Sequence, residues 1–125
     1  MEDELDALFV EESEALNKNM LRDLLAPFVK MTTQGTILPE DNFISLDNTQ
    51  KVAVYLLSRK VMKLKGILEA EAAGPTSISE AIGLPVGSVK TVFHTQGNKL
   101  FKSENGTYFI PNYNLVKIKQ ILGRW

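Results

Sequence analysis

A chain of 125 residues, 44% of them hydrophobic, can bury one good core and is too short to favour two independent domains. It holds no cysteine, which excludes disulfides, thiolate metal sites and cysteine nucleophiles and fits a cytoplasmic setting. No signal peptide is visible and no apolar run approaches the ~20 residues a bilayer demands, so no membrane partner is expected. The net charge of −1 conceals a segregation: residues 1–46 carry 10 acidic and 3 basic side chains, a balance of −7, whereas residues 47–125 carry 11 basic and 5 acidic, a balance of +6. Such asymmetry points to an anionic partner for the basic part, against the plainer reading of a solvated lysine-rich surface.

In chain order, Leu5, Leu8, Phe9 and Leu16 form an amphipathic pattern among Glu2, Asp3, Glu4, Asp6, Glu11, Glu12 and Glu14. This acidic segment reads as a protein-docking or dimerisation arm, or as a loose terminus. Leu21, Leu24, Leu25 and Phe28 then follow at i, i+3, i+4 and i+7, a helix that Pro27 ends near Ala26. Val29–Met31 and Thr36–Leu38 flank a turn at residues 33–35 and predict a small hairpin.

Asp47-Asn48-Thr49-Gln50 has the spacing of a capping box, and it introduces a long helix with Ala53, Leu56, Leu57, Leu64 and Leu68 on one face. Gly66 bends or ends it, and Arg59, Lys60, Lys63 and Lys65 make its far end basic. A second box, Ser77-Ile78-Ser79-Glu80, predicts the start of a short helix after Gly74-Pro75. Ile78, Ala81 and Ile82 form its apolar stripe, and Gly83 supplies a left-handed stop. Pro85 opens the next helix, whose greasy side is Val86, Val89, Val92 and Phe93, while Ser88, Lys90, Thr91, His94 and Thr95 project away from it.

The helix weakens at Gly97-Asn98. Leu100-Phe101-Lys102 reads as a strand that meets Thr107–Ile110 across a turn containing Asn105-Gly106, the dipeptide that tolerates the positive φ of a tight hairpin. Pro111 ends that strand, and Asn114 caps a last helix bearing Leu115, Ile118, Ile121 and Leu122. No internal repeat or low-complexity tract is visible. The organisation expected is an α+β, mainly helical core over residues 47–125, preceded by an acidic helical extension with a small hairpin over residues 1–46.

Two short helices joined by a tight turn and followed by a hairpin follow the order of a winged helix. The stretch from Asp47 to Ile121, about three-fifths of the chain, resembles the winged helix-turn-helix superfamily of transcription factors, and most of all its small archaeal single-domain members. The segments that carry the likeness are NTQKVAVYLLSRKVMKL, TSISEAIGLPVGSVKTVF, the Asn-Gly hairpin and PNYNLVKI; their specificity lies in order and spacing. The resemblance implies a recognition helix at residues 86–96, a wing at residues 102–107, a cytoplasmic transcriptional regulator and double-stranded DNA as partner, commonly bound by a homodimer. The chain departs from the family at His94-Thr95-Gln96-Gly97-Asn98, where members usually continue in a leucine-containing charged segment, and this shortens the helix.

In that reading Lys90, Lys99 and Lys102 contact phosphates, Ser88, Thr91, His94 and Thr95 reach base edges or backbone oxygens, and Asn105 tips the wing. None is an arginine, the commonest reader of guanine, so this helix alone discriminates sequence weakly. Tyr108, Phe109, Tyr113 and Trp125 offer rings for stacking on bases, although alternate strand aromatics more often enter a core. His94 is the sole histidine and the N-terminal carboxylates lack a nucleophile, so no metal, cofactor or enzymatic role is expected. The competing function is a winged-helix protein-protein interaction module within a larger complex.

Overall fold

The computed structural model describes residues 18–96 and 99–122, so the expectations placed on the first 17 residues, on Gly97-Asn98 and on Trp125 lie outside it. Within that range the chain is α+β, with six α-helices and two two-stranded antiparallel sheets. Among the described residues no helix is long and apolar enough to cross a membrane.

Helix α1 (Lys18–Leu25) buries Leu21, Leu24 and Leu25, as their spacing requires, and the turn at Pro27 delivers Phe28 into the same core. Strands β1 (Val29–Met31) and β2 (Ile37–Pro39) pair with Val29 opposite Pro39 and Met31 opposite Ile37, the hairpin expected there. Thr32 shapes the connection, because its hydroxyl accepts from the N–H groups of Gln34 and Thr36 at 3.3 and 3.2 Å. Gly35 completes the turn at φ 91°, which L side chains rarely adopt. A one-turn helix, α2 (Asp41–Ile44), inserts Phe43 into the core. Its four residues are too few to display a helical period, so the sequence did not reveal it.

Helix α3 (Asn48–Leu64) begins with the reciprocal cap expected of Asp47 and Gln50. Asp47 Oδ1 accepts from the Gln50 N–H at 2.8 Å, and Gln50 Oε1 accepts from the Asp47 N–H at 3.0 Å. Gln50 Nε2 also donates to the Ile121 carbonyl at 2.6 Å. Asp47→Ala should therefore lower the unfolding free energy by about 1 kcal/mol, measured as a lower urea midpoint at an unchanged slope.

The expectation of a one-faced helix is too narrow for α3. Every residue from Val52 to Ser58 is buried, because α1, α4 (Pro75–Ile82), α5 (Val86–Gln96) and α6 (Leu115–Leu122) all pack around it. Gly66, at φ 77°, ends the helix in a Schellman motif: Ile67 N–H donates to Met62 O at 2.8 Å and Gly66 N–H to Lys63 O at 3.0 Å. Leu64, expected inside, is 45% exposed beside this exit.

The basic far end of α3 also needs correction. Lys60 is only 4% exposed, with Nζ 2.7 Å from Glu71 Oε2 and 2.7 Å from Asn112 Oδ1. Arg59 spends its guanidinium on the carbonyls of Ala70, Glu71 and Ala72. Only Lys63 and Lys65 of the four cations stay exposed there. Spacing cannot distinguish a solvated lysine from one claimed by a carboxylate that the next loop brings back.

The capping box expected at Ser77–Glu80 does not form. Helix α4 starts three residues earlier, with Gly74 as an extended N-cap and Pro75 in its first turn, where a fixed φ and a missing N–H cost nothing. Its apolar stripe narrows to Ile78, with Ile82 half-buried and Ala81 exposed. Gly83 does stop the helix at φ 76°, its N–H bonded to Ser79 O. Pro85 precedes α5 by one residue and accepts from the N–H groups of Ser88 and Val89. Val86, expected on the apolar side, is 38% exposed at the first position of that helix.

Beyond α5, Leu100 and Phe101 are buried as a core plug and are not strand residues. Strand β3 (Lys102–Glu104) instead pairs with β4 (Thr107–Phe109) through the two-residue turn Asn105-Gly106, with φ of 53° and 81°. Ala73 adds a third, single-residue rung by exchanging two backbone hydrogen bonds with Tyr108 at 3.0 and 2.8 Å. Asn114 does not cap α6, because its side chain is buried and donates to Leu100 O at 3.0 Å. A 3-10 turn (Asn112–Asn114) leads into α6 instead, which buries Leu115, Ile118 and Leu122. One hydrophobic cluster runs from Leu21 to Leu122 through every helix.

Candidate nucleic-acid interface

The outer face of α5 is determined by what its inner face holds. Val89, Val92 and Phe93 are buried. The Phe93 ring stacks on Tyr108 at 3.7 Å with 5° between planes, and it meets Phe101 edge-on at 5.1 Å and 86°. These rings lock the helix to the hairpin in one orientation. The helical period then turns Gly87, Thr91 and His94 outward, with Lys90 on one flank and Ser88 and Thr95 on the other.

Two shallow cavities mark those flanks. One of about 540 Å³ lies between Pro75, Lys90, Thr91, His94 and Tyr108, on the hairpin side. Another, of about 240 Å³, lies between Asn48, Thr49, Ser88, Thr91 and Thr95, toward the start of α3. Lys90, Thr91, His94 and Thr95 are exposed and Ser88 is half-buried, so this helix brings together five of the eight residues singled out in the sequence. No carboxylate lies on α5.

Thr91 carries a restriction invisible in the sequence. Its hydroxyl donates to the Gly87 carbonyl at 2.9 Å, which leaves only its lone pairs for a partner. With its proton so engaged, Thr91 presents an acceptor and no free donor to any partner on this face.

The other three residues are more dispersed. Lys99 is exposed just beyond α5, and its carbonyl accepts from Lys117 Nζ at 3.3 Å. Lys117, on α6, thus brings a second ammonium to the Lys99 region. The individual sequence motifs missed it; the available signal was the +5 balance of residues 86–125. Asn105 lies exposed at the tip of the β3–β4 hairpin, in the left-handed conformation the turn requires.

Lys102 is exposed on β3 but does not share the hairpin face that meets α5. Strand alternation puts Ser103 and its partner Tyr108 on the α5 side, and Lys102, Glu104, Thr107 and Phe109 on the other. Glu104 and Phe109 accordingly line a cavity with Lys60 and Glu71. A carboxylate therefore accompanies Lys102 on its face of the hairpin.

The four aromatic residues proposed for stacking also divide. Tyr108 is engaged with Phe93, Phe109 is half-buried, and Tyr113 is 70% exposed on the 3-10 turn. Among the described residues no group of three or more His, Cys, Asp or Glu side chains could hold a metal ion. The chain matches no family model, no curated protein and no solved structure.

Proposed function

We propose that this chain is a winged-helix transcriptional regulator that binds double-stranded DNA, with α5 entering the major groove and the β3–β4 hairpin serving as the wing. The observation that carries the reading is the outward surface of α5, where Lys90, Thr91, His94 and Thr95 are exposed and no carboxylate intervenes. Supporting it is the order of elements: α3, the Ala73 rung, α4, the Gly83 turn, α5 and then the hairpin. Lys90 and Lys99, with Lys117 beside the latter, would grip phosphates, while His94, Thr91 and Thr95 approach base edges. Lys102 would reach the backbone from the far side of the wing. The reading assigns the chain no catalytic step.

The interaction-module alternative calls for an apolar patch on the same face, and there only Val86 is a large exposed hydrophobe. Homodimerisation, common in such regulators, would require two α5 helices about 34 Å apart on one face of a duplex.

Fluorescence anisotropy with a random 20-base-pair duplex at several salt concentrations tests the proposal. Affinity should fall steeply with salt, and Lys90→Ala plus Lys99→Ala should reduce the slope of log K against log salt by about 2. Binding that ignores salt, or a double variant with the parent slope, would rule out this surface.

A further inference from the structure

A groove separate from α5 runs along α1, closed on its other sides by β1 and the end of α3, with a volume of about 510 Å³. Its floor is apolar, formed by Leu21, Leu25, Val29, Val61 and Leu64. Its rim is cationic, carrying Lys18, Arg22, Lys30 and Lys65, and no carboxylate lines it. Leu64 sits here with almost half its surface uncovered, although its helical position marks it for burial. Among the described residues the ion pairs of Arg22 and Lys30 are exposed ones, with Asp23 and Glu40. Lys18 and Lys65 are paired with no carboxylate among the described residues.

An apolar trough with a four-cation rim fits an amphipathic helix whose polar side is acidic. The chain contains one such segment. Its first 17 residues hold Glu2, Asp3, Glu4, Asp6, Glu11, Glu12 and Glu14 with no lysine or arginine, and Leu5, Leu8 and Phe9 fall at i, i+3 and i+4. We propose that the groove is the seat of this chain's own N-terminal segment, folded back along α1 as the first arm of a helical hairpin.

The path is short enough. The segment ends at Asn17, directly before Lys18, which itself lines the groove. A connection of about five residues, within the usual range for antiparallel helices, leaves residues 2–12 to form a helix of roughly 16 Å. Helix α1 spans eight residues, or about 12 Å, so the arm covers its whole length. Leu5, Leu8 and Phe9 then meet Leu64 and Val61, and the carboxylates face Lys18 and Lys65. Attachment at the mouth of the groove gives the arm an effective concentration of order millimolar, which favours it over the arm of a second copy.

Nuclear Overhauser spectroscopy on the full chain tests this seat. Cross-peaks from the Phe9 ring to Val61 and Leu64 methyls are expected in a uniformly labelled sample and should be absent from an isotope-filtered spectrum of mixed labelled and unlabelled chains. Lys18→Glu plus Lys65→Glu, both at the rim, should lower the docked population by roughly fivefold. Leu8→Asp plus Phe9→Asp, outside the described core, should abolish the contacts while leaving the remaining spectrum folded. Absent cross-peaks in the parent chain would overturn the proposal, and so would cross-peaks that survive the filter, since those would put a second copy in the groove. Indifference to the lysine reversals would overturn the role given to the rim.

Discussion

Phe93→Ala should lower the unfolding free energy by about 3–5 kcal/mol, a large share of the 5–15 kcal/mol typical of a domain. The ring is 6% exposed and is the junction of two aromatic contacts, stacked on Tyr108 of β4 and edge-on to Phe101 before β3. Its removal leaves a cavity that neighbours cannot readily fill, because Tyr108 is held in place by its backbone bonds to Ala73. Urea denaturation would give the loss of stability. Amide exchange should show an additional effect: Tyr108 and Phe109 losing protection before α3 does, because the hairpin would have lost its anchor on α5. Phe93→Leu should recover part of the stability through volume alone, while the stacking contribution of about 0.5–1.5 kcal/mol stays lost.

Lys60→Ala should cost about 3 kcal/mol by a different route. The ammonium is nearly fully buried and is shared between Glu71 Oε2 and Asn112 Oδ1, each at 2.7 Å. Deleting it strands a carboxylate whose side chain is 18% exposed, and an unpaired charge in that position is poorly hydrated. The pair need not contribute net stability of its own, since bringing both ions out of water offsets most of their attraction. Lys60→Met combined with Glu71→Leu should therefore lie within about 1 kcal/mol of the parent. A thermal or urea double-mutant cycle checks both statements, and equal losses in the single and double variants would contradict this account.

How much of this was legible in the sequence depends on whether a feature is local. The Asp47–Gln50 cap, the Gly83 stop and the Asn105-Gly106 turn were readable because their hydrogen bonds or backbone angles involve residues at most four apart. The α1 stripe was readable too, because one face of it meets α3 and the opposite one meets solvent. Helix α3 was harder, for an encased helix has no polar side to reveal its orientation. At α4 two local signals competed, and the Gly74-Pro75 start prevailed over the Ser77 box because proline presets the first turn three residues sooner.

The candidate interface was partly legible for the same reason. Helical spacing located the outward side of α5, since it only asks which residues oppose Val89, Val92 and Phe93. The approach of Lys117 to Lys99 and the burial of Lys60 both depend on chain returning from a distance, 18 and 52 positions away along the sequence. The side of the hairpin taken by Lys102 depends on register: the strand begins at Lys102 and not at Leu100, because Leu100 and Phe101 were drawn inward by the core.

The side-chain amide of Gln50 has a further consequence. Its oxygen is committed to Asp47 and its nitrogen to the carbonyl of Ile121, so neither atom can be exchanged for the other by rotating the group. The opening turn of the central helix and the closing turn of the last one are thereby clasped together, making residues 50–121 a closed circuit. Fraying at the carboxyl end would loosen the clasp and be transmitted to the start of α3, which borders the Ser88–Thr95 flank. The last helix and α5 are in this way mechanically joined through the opening turn of α3.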